Sequence, residues 1–379
     1  MTEKLYYKDS YIREFCATVL SVESLDGKTL AVLDKTAFFP EEGGQSADRG
    51  YIGDVRVLDV FEREGTVYHV TDGEPPLGEV FCKIDFDERY EKMQCHTAEH
   101  ILCGIIHRLY GLENVGFHLG EELVTFDVSA PLTRAELDTV EELANRAVFD
   151  NIPVETLTPL PEELASLSYR AKLDIKEVVR IVKIGEVDSC ACCAPHVAST
   201  GEIGLIKILD FMKHRGGTRI FMVAGRRALL DYRRKYENIL KISALLSVPQ
   251  HETAEGLRAY IADREEERYK LREASKRLAE ALAESVSATD GNVVRYIPDV
   301  GIDELRAFVN AAAPRVGGTL VALTGCEGDY KYIITSKKEN LAISARAINT
   351  ALSGRGGGKP DVIQGSFRTD LLSICEYFK

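Results

Sequence analysis

Across residues 1–87 the apolar positions come in short runs: Phe15–Val22, Thr29–Leu33, Val55–Val60, Thr66–Val70 and Glu79–Ile84. Turn sequences such as Leu25-Asp-Gly27 and Asp72-Gly73 separate them, the pattern of strands joined by tight connections. So many short strands predict a small N-terminal β-barrel domain. One connection is long and glycine-rich, running from Asp34 to Gly50. Gly43 and Gly44 permit tight turns there, while Thr36 and Gln45 place uncharged hydrogen-bonding groups at its two ends.

The periodicity then lengthens. Glu88–Tyr110 reads as a helix, Leu123–Val128 as a strand and Leu132–Phe149 as an amphipathic helix. Val154–Leu157 is strand-like, Pro161–Leu167 a short proline-led helix, and Val178–Ile184 a strand entering a cysteine-rich turn. Two strands, Gly201–Asp210 and Thr218–Val223, form a hairpin across Lys213–Gly217, completing an α+β domain over residues 88–225. From 226 to 290, leucines and tyrosines at helical spacing are broken at Val248-Pro-Gln-His251. This predicts a long, coiled-coil-like helical hairpin, a linker arm that also offers a surface for a homodimer. Residues 291–379 alternate strands (Val293–Ile297, Thr319–Thr324, Tyr330–Thr335) with helices (Ile302–Ala312, Leu341–Leu352, and a last one from Leu371) as a C-terminal α/β domain. The fold class is therefore α+β and multidomain.

Candidate chemistry concentrates in two stretches. His96 and His100 leave one helix face a turn apart, and Cys192 and His196 have the same separation in a turn containing Pro195. Two His from a helix with a Cys and a His from a loop make an N/S ligand set for one Zn²⁺ per chain. Four protein ligands point to a structural ion, three with an open position to a catalytic one. Cys190 and Cys193 are alternatives to Cys192, which the four-residue spacing to His196 favours. His107 lies about 16 Å along the axis from His96, too far to share an ion, and reads as a supporting or core histidine. Cys95 and Cys103 read as small buried hydrophobes. Glu99, about 100° around the helix from His100, reads as a solvent carboxylate in preference to a catalytic base.

The net charge of −13 opposes a nucleic-acid partner only until its distribution is considered. Residues 1–225 carry 23 cationic against 39 acidic side chains, whereas 291–379 carry 11 against 9. A polyanion would be held locally, and Arg355-Gly-Gly-Gly-Lys359 sets cations on either side of a bare backbone in what reads as a loop. This is not a Walker A sequence. The N-terminus lacks the apolar core of a signal peptide, and no apolar run spans a membrane. Nine cysteines, several beside histidines, suit a metal in a reducing, cytoplasmic setting better than a disulfide framework.

Taken together, several stretches resemble the alanyl-tRNA editing family, the freestanding relatives of the alanyl-tRNA synthetase editing domain. They are Thr36-Ala-Phe-Phe-Pro-Glu-Glu-Gly-Gly-Gln45 with Asp48 and Gly50, His96-Thr-Ala-Glu-His100, Cys192-Cys-Ala-Pro-His196, Thr200-Gly-Glu-Ile-Gly204 and Gly217-Thr-Arg-Ile220. Gly354-Arg-Gly-Gly-Gly-Lys-Pro-Asp361, with Gln364-Gly365, resembles the C-terminal domain shared with the synthetase and DHH phosphoesterases. The resemblance implies a trans-acting, zinc-dependent deacylase that hydrolyses tRNA(Ala) mischarged with serine, and often glycine. It implies His96, His100, Cys192 and His196 as zinc ligands, and Thr36 and Gln45 in an amino-acid pocket that hydrogen-bonds a serine hydroxyl. The arm and the C-terminal domain, with Arg355, Gly356, Gly357, Gly358 and Lys359, would hold the tRNA body. Where the family often has Cys-Gly-Gly-Thr-His, this chain has Cys192-Cys-Ala-Pro-His196 and so lacks the threonine hydroxyl. A basic entrance from Lys213, Arg215 and Arg219 would admit the acceptor stem to the acidic front domain.

Three other readings stand beside this one. A metallohydrolase for another acylated substrate would share every ligand. An RNA-binding protein with a structural zinc fits the four-ligand count. A thiol redox protein would use Cys190, Cys192 and Cys193 but leaves the histidines unexplained.

Overall fold

The computed structural model describes residues 1–25, 27–164, 166–171 and 179–379. Asp26 of the first expected turn, Ala165 of the short helix and Val178 of the expected strand lie outside the described residues. The chain divides into two units, Met1–Asn238 and Ile239–Lys379, and the division falls within the helix Gly225–Leu246.

In the first unit six antiparallel strands close into a ring, in the order Glu14–Leu25, Lys28–Leu33, Thr66–Thr71, Val55–Arg63, Gly50–Ile52 and Gly78–Ile84. Alternate side chains point inward, so Val19, Leu33, Val57, Val67, Cys82 and Ile84 fill the interior. The helix Phe86–Tyr110 follows directly and ends at Gly111 in the left-handed conformation. Its Met93, Ile101, Leu102 and Ile105 are buried with Phe126, Ile220 and Met222 from a four-stranded antiparallel sheet. That sheet runs Ile206–His214, Gly217–Ala224, Val124–Val128, Asn114–Leu119. The helix Arg134–Phe149 opens with a reciprocal capping box between Thr133 and Glu136, and adds Leu137, Val140 and Ala144 to the same core. A three-stranded sheet, Val154–Leu157, Ile181–Ile184, Asp188–Ala191, leads into the cysteine-rich turn.

The second unit is a five-stranded mixed sheet in the order Val293–Tyr296, Thr319–Cys326, Asp329–Ser336, Val362–Phe367, Gly354–Gly358. The helix Thr253–Glu284 buries Ala279 and Ala283 against Leu305 and Phe308 of the helix Ile302–Ala312. Leu341, Ala345 and Ile348 of the helix Leu341–Ala351 pack with Tyr332, Ile334 and Phe367. No helix among the described residues is long and apolar enough to cross a membrane.

Three local expectations need correction. Residues 200–203 form a 3₁₀ turn, not the start of a strand, because Glu202 is drawn back to cap Ser199; the strand begins at Ile206. The glycines at 354–358 are an edge strand paired with Val362–Phe367, not a loop. Asn114–Leu119 is a strand that the sequence pattern hid, since it holds only three apolar residues among Asn114, Gly116 and His118.

The glycine-rich connection is tied to the helix by one buried ion pair. Arg89, fully buried, donates from Nε to both Asp48 carboxylate oxygens (2.9 and 2.8 Å), from Nη2 to Asp48 and to Ala37 O (2.6 Å), and from Nη1 to Ser10 O (3.2 Å). Asp48 also accepts the Phe39 amide at 2.6 Å, and Lys92 Nζ donates to Ala47 O at 2.6 Å. Removing one member of such a pair strands the other charge in the interior. Arg89→Ala is expected to destabilise the first unit by about 3–5 kcal/mol, and Arg89→Lys to recover little because it cannot bind bidentately. Urea unfolding followed by far-ultraviolet circular dichroism checks this, and a loss below about 1 kcal/mol would count against the clamp.

Candidate metal centre

His96 and His100 occupy successive turns of the helix Phe86–Tyr110, and Cys192 and His196 come from the irregular segment after Ala191. Arg180 shapes that segment, donating from Nη1 to Cys192 O (2.8 Å) and Ala194 O (2.9 Å). The four side chains converge, with one donor atom from each lying within 4.8 Å of all the others. The three histidines are 3–4% exposed, and Cys192 is half-buried. Cys192 Sγ lies 3.4 Å from His196 Nε2 and 3.7 Å from His96 Nε2.

Each ring is fixed from behind. His96 Nδ1 is 2.8 Å from Gln45 Oε1, His100 Nδ1 is 3.1 Å from Asp188 Oδ2, and His196 Nδ1 is 3.0 Å from Thr97 Oγ1. An amide oxygen and a carboxylate can only accept, so His96 and His100 carry their hydrogen on Nδ1. Thr97 donates its one hydroxyl hydrogen to Met93 O at 2.8 Å, so it too accepts from His196 Nδ1. In its neutral form each imidazole therefore turns Nε2, the nitrogen not engaged by these bonds, towards Cys192. This outer hydrogen-bonding layer is what orients and strengthens metal-binding histidines. Asp188 is itself held by Arg170 Nε and Nη2 at 2.8 and 2.9 Å.

Two glycines let the layers approach. A side chain at Gly104 would collide with Val187 O and Asp188, so only glycine lets the helix bring His100 to Asp188. Gly44, at φ +88°, abuts Phe117, whose ring stacks on His96 at 4.7 Å between centroids.

The electrostatics suit a cation. Burial opposes ionisation of Cys192, but His96, His196 and His100 outweigh it and hold the thiol well below its ordinary value. Burial pushes His196 down to about 3, which keeps its imidazole neutral. For His100 burial is outweighed by the Asp188 carboxylate, and its value rises. One thiolate and three imidazole nitrogens, buried and pre-aimed, form a donor set that fits zinc.

Other expected residues fall as follows. Gln45 is joined to His96, and its buried amide nitrogen has no hydrogen-bond partner among the described residues. Thr36 is fully buried and bonds His69 Nε2 (2.9 Å) and the Phe38 amide (3.1 Å) and not, among the described residues, the four donors. Cys193 turns towards Glu42, and Cys190 lies with His100 and Asp188 in the outer layer, its thiol pushed up by burial. Glu99 is not a solvent carboxylate: it is 1% exposed, 3.3 Å from Cys103 Sγ, bonded to Asn114 Nδ2, and 4.0 Å from His100 Nε2. Cys95 and Cys103 are buried, but Cys103 takes part in that polar cluster. His107 is half-exposed and pairs with Glu113 at 3.1 Å, so it is neither a core nor a supporting residue. Arg219 is bound bidentately by Asp127 (2.8 Å each), which leaves Lys213 and Arg215 as the exposed cations of the expected entrance. Asp188, Thr97 and His69 carried no sequence signal of their own, since single polar residues in apolar segments are common.

Purified protein is expected to hold one zinc per chain by elemental analysis. Cys192→Ala should lose most of it, Cys193→Ala should keep it, and Asp188→Asn should weaken affinity about 10–100-fold. Retention by Cys192→Ala with loss by Cys193→Ala would reassign the ligand.

The family model described as the threonyl and alanyl tRNA synthetase second additional domain matches residues 179–221, which contain Cys192 and His196. The chain is 31% identical to an alanyl-tRNA editing protein, AlaX-L, of Pyrococcus horikoshii, covering 96% of this chain and 94% of that protein. It is 33% identical to an alanine–tRNA ligase of Natronomonas pharaonis over 96% of this chain but only 42% of the ligase, so it spans less than half of that relative. At 31% identity over 96% of its own length and 94% of that relative, the chain belongs to the alanyl-tRNA editing protein family.

Proposed function

We propose that this chain is a trans-acting deacylase of mischarged tRNA(Ala), hydrolysing chiefly seryl-tRNA(Ala), with zinc held by His96, His100, Cys192 and His196. The observation that carries this reading is the buried, unpartnered amide nitrogen of Gln45 beside His96. A buried donor with no partner is costly unless something completes it. At the edge of this donor set, an aminoacyl group supplies the missing acceptor. The ester bond between the aminoacyl carbonyl carbon and the terminal ribose oxygen breaks, water adds to the carbonyl, and a proton passes to the departing ribose hydroxyl. A bound zinc supplies Lewis acidity to such a reaction. Gln45 contributes orientation from its amide nitrogen and holds His96 through its oxygen. Thr36 lies in the amino-acid pocket, and specificity arises because the site leaves its own polar groups unpaired with alanine.

The second unit, in this reading, holds the tRNA body. Arg355 lies within the glycine-rich edge strand Gly354–Gly358 and Lys359 directly follows it, and both are exposed; at Gly357 a side chain would meet no other atom within 4 Å. Phosphate can approach such a backbone closely. The two long helices act as the linker arm and as a surface for a homodimer.

A complete four-donor set is also what a structural zinc in an RNA-binding protein would show. Hydrolysis separates the readings. Zinc-loaded protein at catalytic concentration is expected to release serine from seryl-tRNA(Ala) with multiple turnovers and to spare alanyl-tRNA(Ala). Gln45→Ala should lower kcat/KM for seryl-tRNA(Ala) about 10²-fold, the scale of losing a positioned donor. Tight tRNA binding with no serine release would support the structural reading. Independently, Arg355→Ala with Lys359→Ala should weaken tRNA binding and reduce its salt slope by about 1 per residue, leaving zinc content unchanged.

A further inference from the structure

His69 is fully buried on the strand Thr66–Thr71, inside the ring of strands, and no part of the metal centre touches it among its hydrogen bonds. A polar ring in that interior needs a partner on each nitrogen. His69 Nδ1 is 3.1 Å from Ala31 O and His69 Nε2 is 2.9 Å from Thr36 Oγ1, with the Phe38 ring packed edge-on at 5.5 Å.

These contacts determine where the hydrogens are. The Ala31 carbonyl can only accept, so Nδ1 of His69 carries a hydrogen. Burial pushes His69 down to about 4, so the ring is neutral at physiological pH and Nε2 is bare. Thr36 must then donate its only hydroxyl hydrogen to Nε2. One of its lone pairs accepts the Phe38 amide at 3.1 Å. One lone pair is left.

We infer that His69 is a positioning residue that fixes the Thr36 hydroxyl as a pure hydrogen-bond acceptor, so that the pocket selects an aminoacyl group bringing its own side-chain O–H donor. This deepens the proposed function and rests on it for the placement of Thr36 in the amino-acid pocket. A freely rotating threonine hydroxyl can serve as donor or acceptor and would discriminate less. A seryl side chain supplies the donor; glycyl and alanyl groups lack one and would leave the Thr36 lone pair unpaired in a dry site. His69 therefore separates serine from glycine, two substrates that pocket size alone would admit together.

Three variants and one spectrum test this. His69→Phe keeps a ring of similar shape but removes the acceptor, and His69→Gln keeps an acceptor near the position of Nε2. Thr36→Val removes the hydroxyl itself. The ratio of kcat/KM for seryl-tRNA(Ala) over glycyl-tRNA(Ala) is expected to fall about tenfold in His69→Phe, the worth of one neutral hydrogen bond, and to be largely kept in His69→Gln. Thr36→Val should lower it at least as much, and adding His69→Phe to Thr36→Val should lower it no further. An equal fall for both substrates, or an unchanged ratio in folded His69→Phe, would overturn the inference. So would additive effects in the double variant. Nitrogen NMR of ¹⁵N-histidine-labelled protein reads the hydrogen positions without any activity. It should show His69 with a protonated Nδ1 and a bare, hydrogen-bonded Nε2 whose shift moves in Thr36→Val. A protonated Nε2 would sink the inference even if editing holds, whereas the expected spectrum in a protein that hydrolyses neither substrate would place the failure in the functional reading of the pocket.

Discussion

The three hydrogen bonds behind the imidazoles are the constraint on which the centre depends. A histidine ring has two nitrogens, and a donor set forms only when each ring turns the same one inward. Gln45, Asp188 and Thr97 achieve this from three different segments: the glycine-rich connection, a short strand and the helix itself. Each contact spends Nδ1 on the surroundings and leaves Nε2 for an ion. The same contacts join the centre to the fold, because none of these partners stays in place unless its own segment is packed.

That packing explains two buried charges that would otherwise be liabilities. Arg89 with Asp48 fixes the connection bearing Thr36 and Gln45 against the helix bearing His96 and His100. Arg170 holds the carboxylate that in turn holds His100. Buried ion pairs contribute little net stability over apolar replacements, so their presence beside the site is better understood as geometric specification. Glu99 fits the same pattern: with Cys103 of the same helix it accepts from Asn114 Nδ2, which ties the helix to the strand Asn114–Leu119.

Much of this was legible in the sequence. The i,i+4 spacing of His96 and His100 put both rings on one helix face, and the matching spacing in the cysteine-rich turn named Cys192 and His196; the structure brings the four together. The helices at 302–312 and 341–351 followed from apolar periodicity alone. What sequence could not show was long-range. Asp188 and Thr97 acquire a role only from what lies behind each ring, and His69 is a single histidine in an apolar strand. At Glu99 the helix angle says which way the carboxylate leaves the axis, not that the strand Asn114–Leu119 covers it. Glycine disfavours strands in general, so the pattern at 354–358 suggests a loop, yet the neighbouring strand Val362–Phe367 supplies the pairing.

In the proposed reading, one ion held by His96, His100, Cys192 and His196 supports ester hydrolysis. The most direct measurement strips the metal, confirms by circular dichroism that the first unit stays folded, and returns zinc in steps while recording serine release from seryl-tRNA(Ala). Release is expected to rise in proportion to bound zinc and to saturate at one zinc per chain. Full release from the folded, zinc-free protein, or none at one zinc per chain, would contradict it.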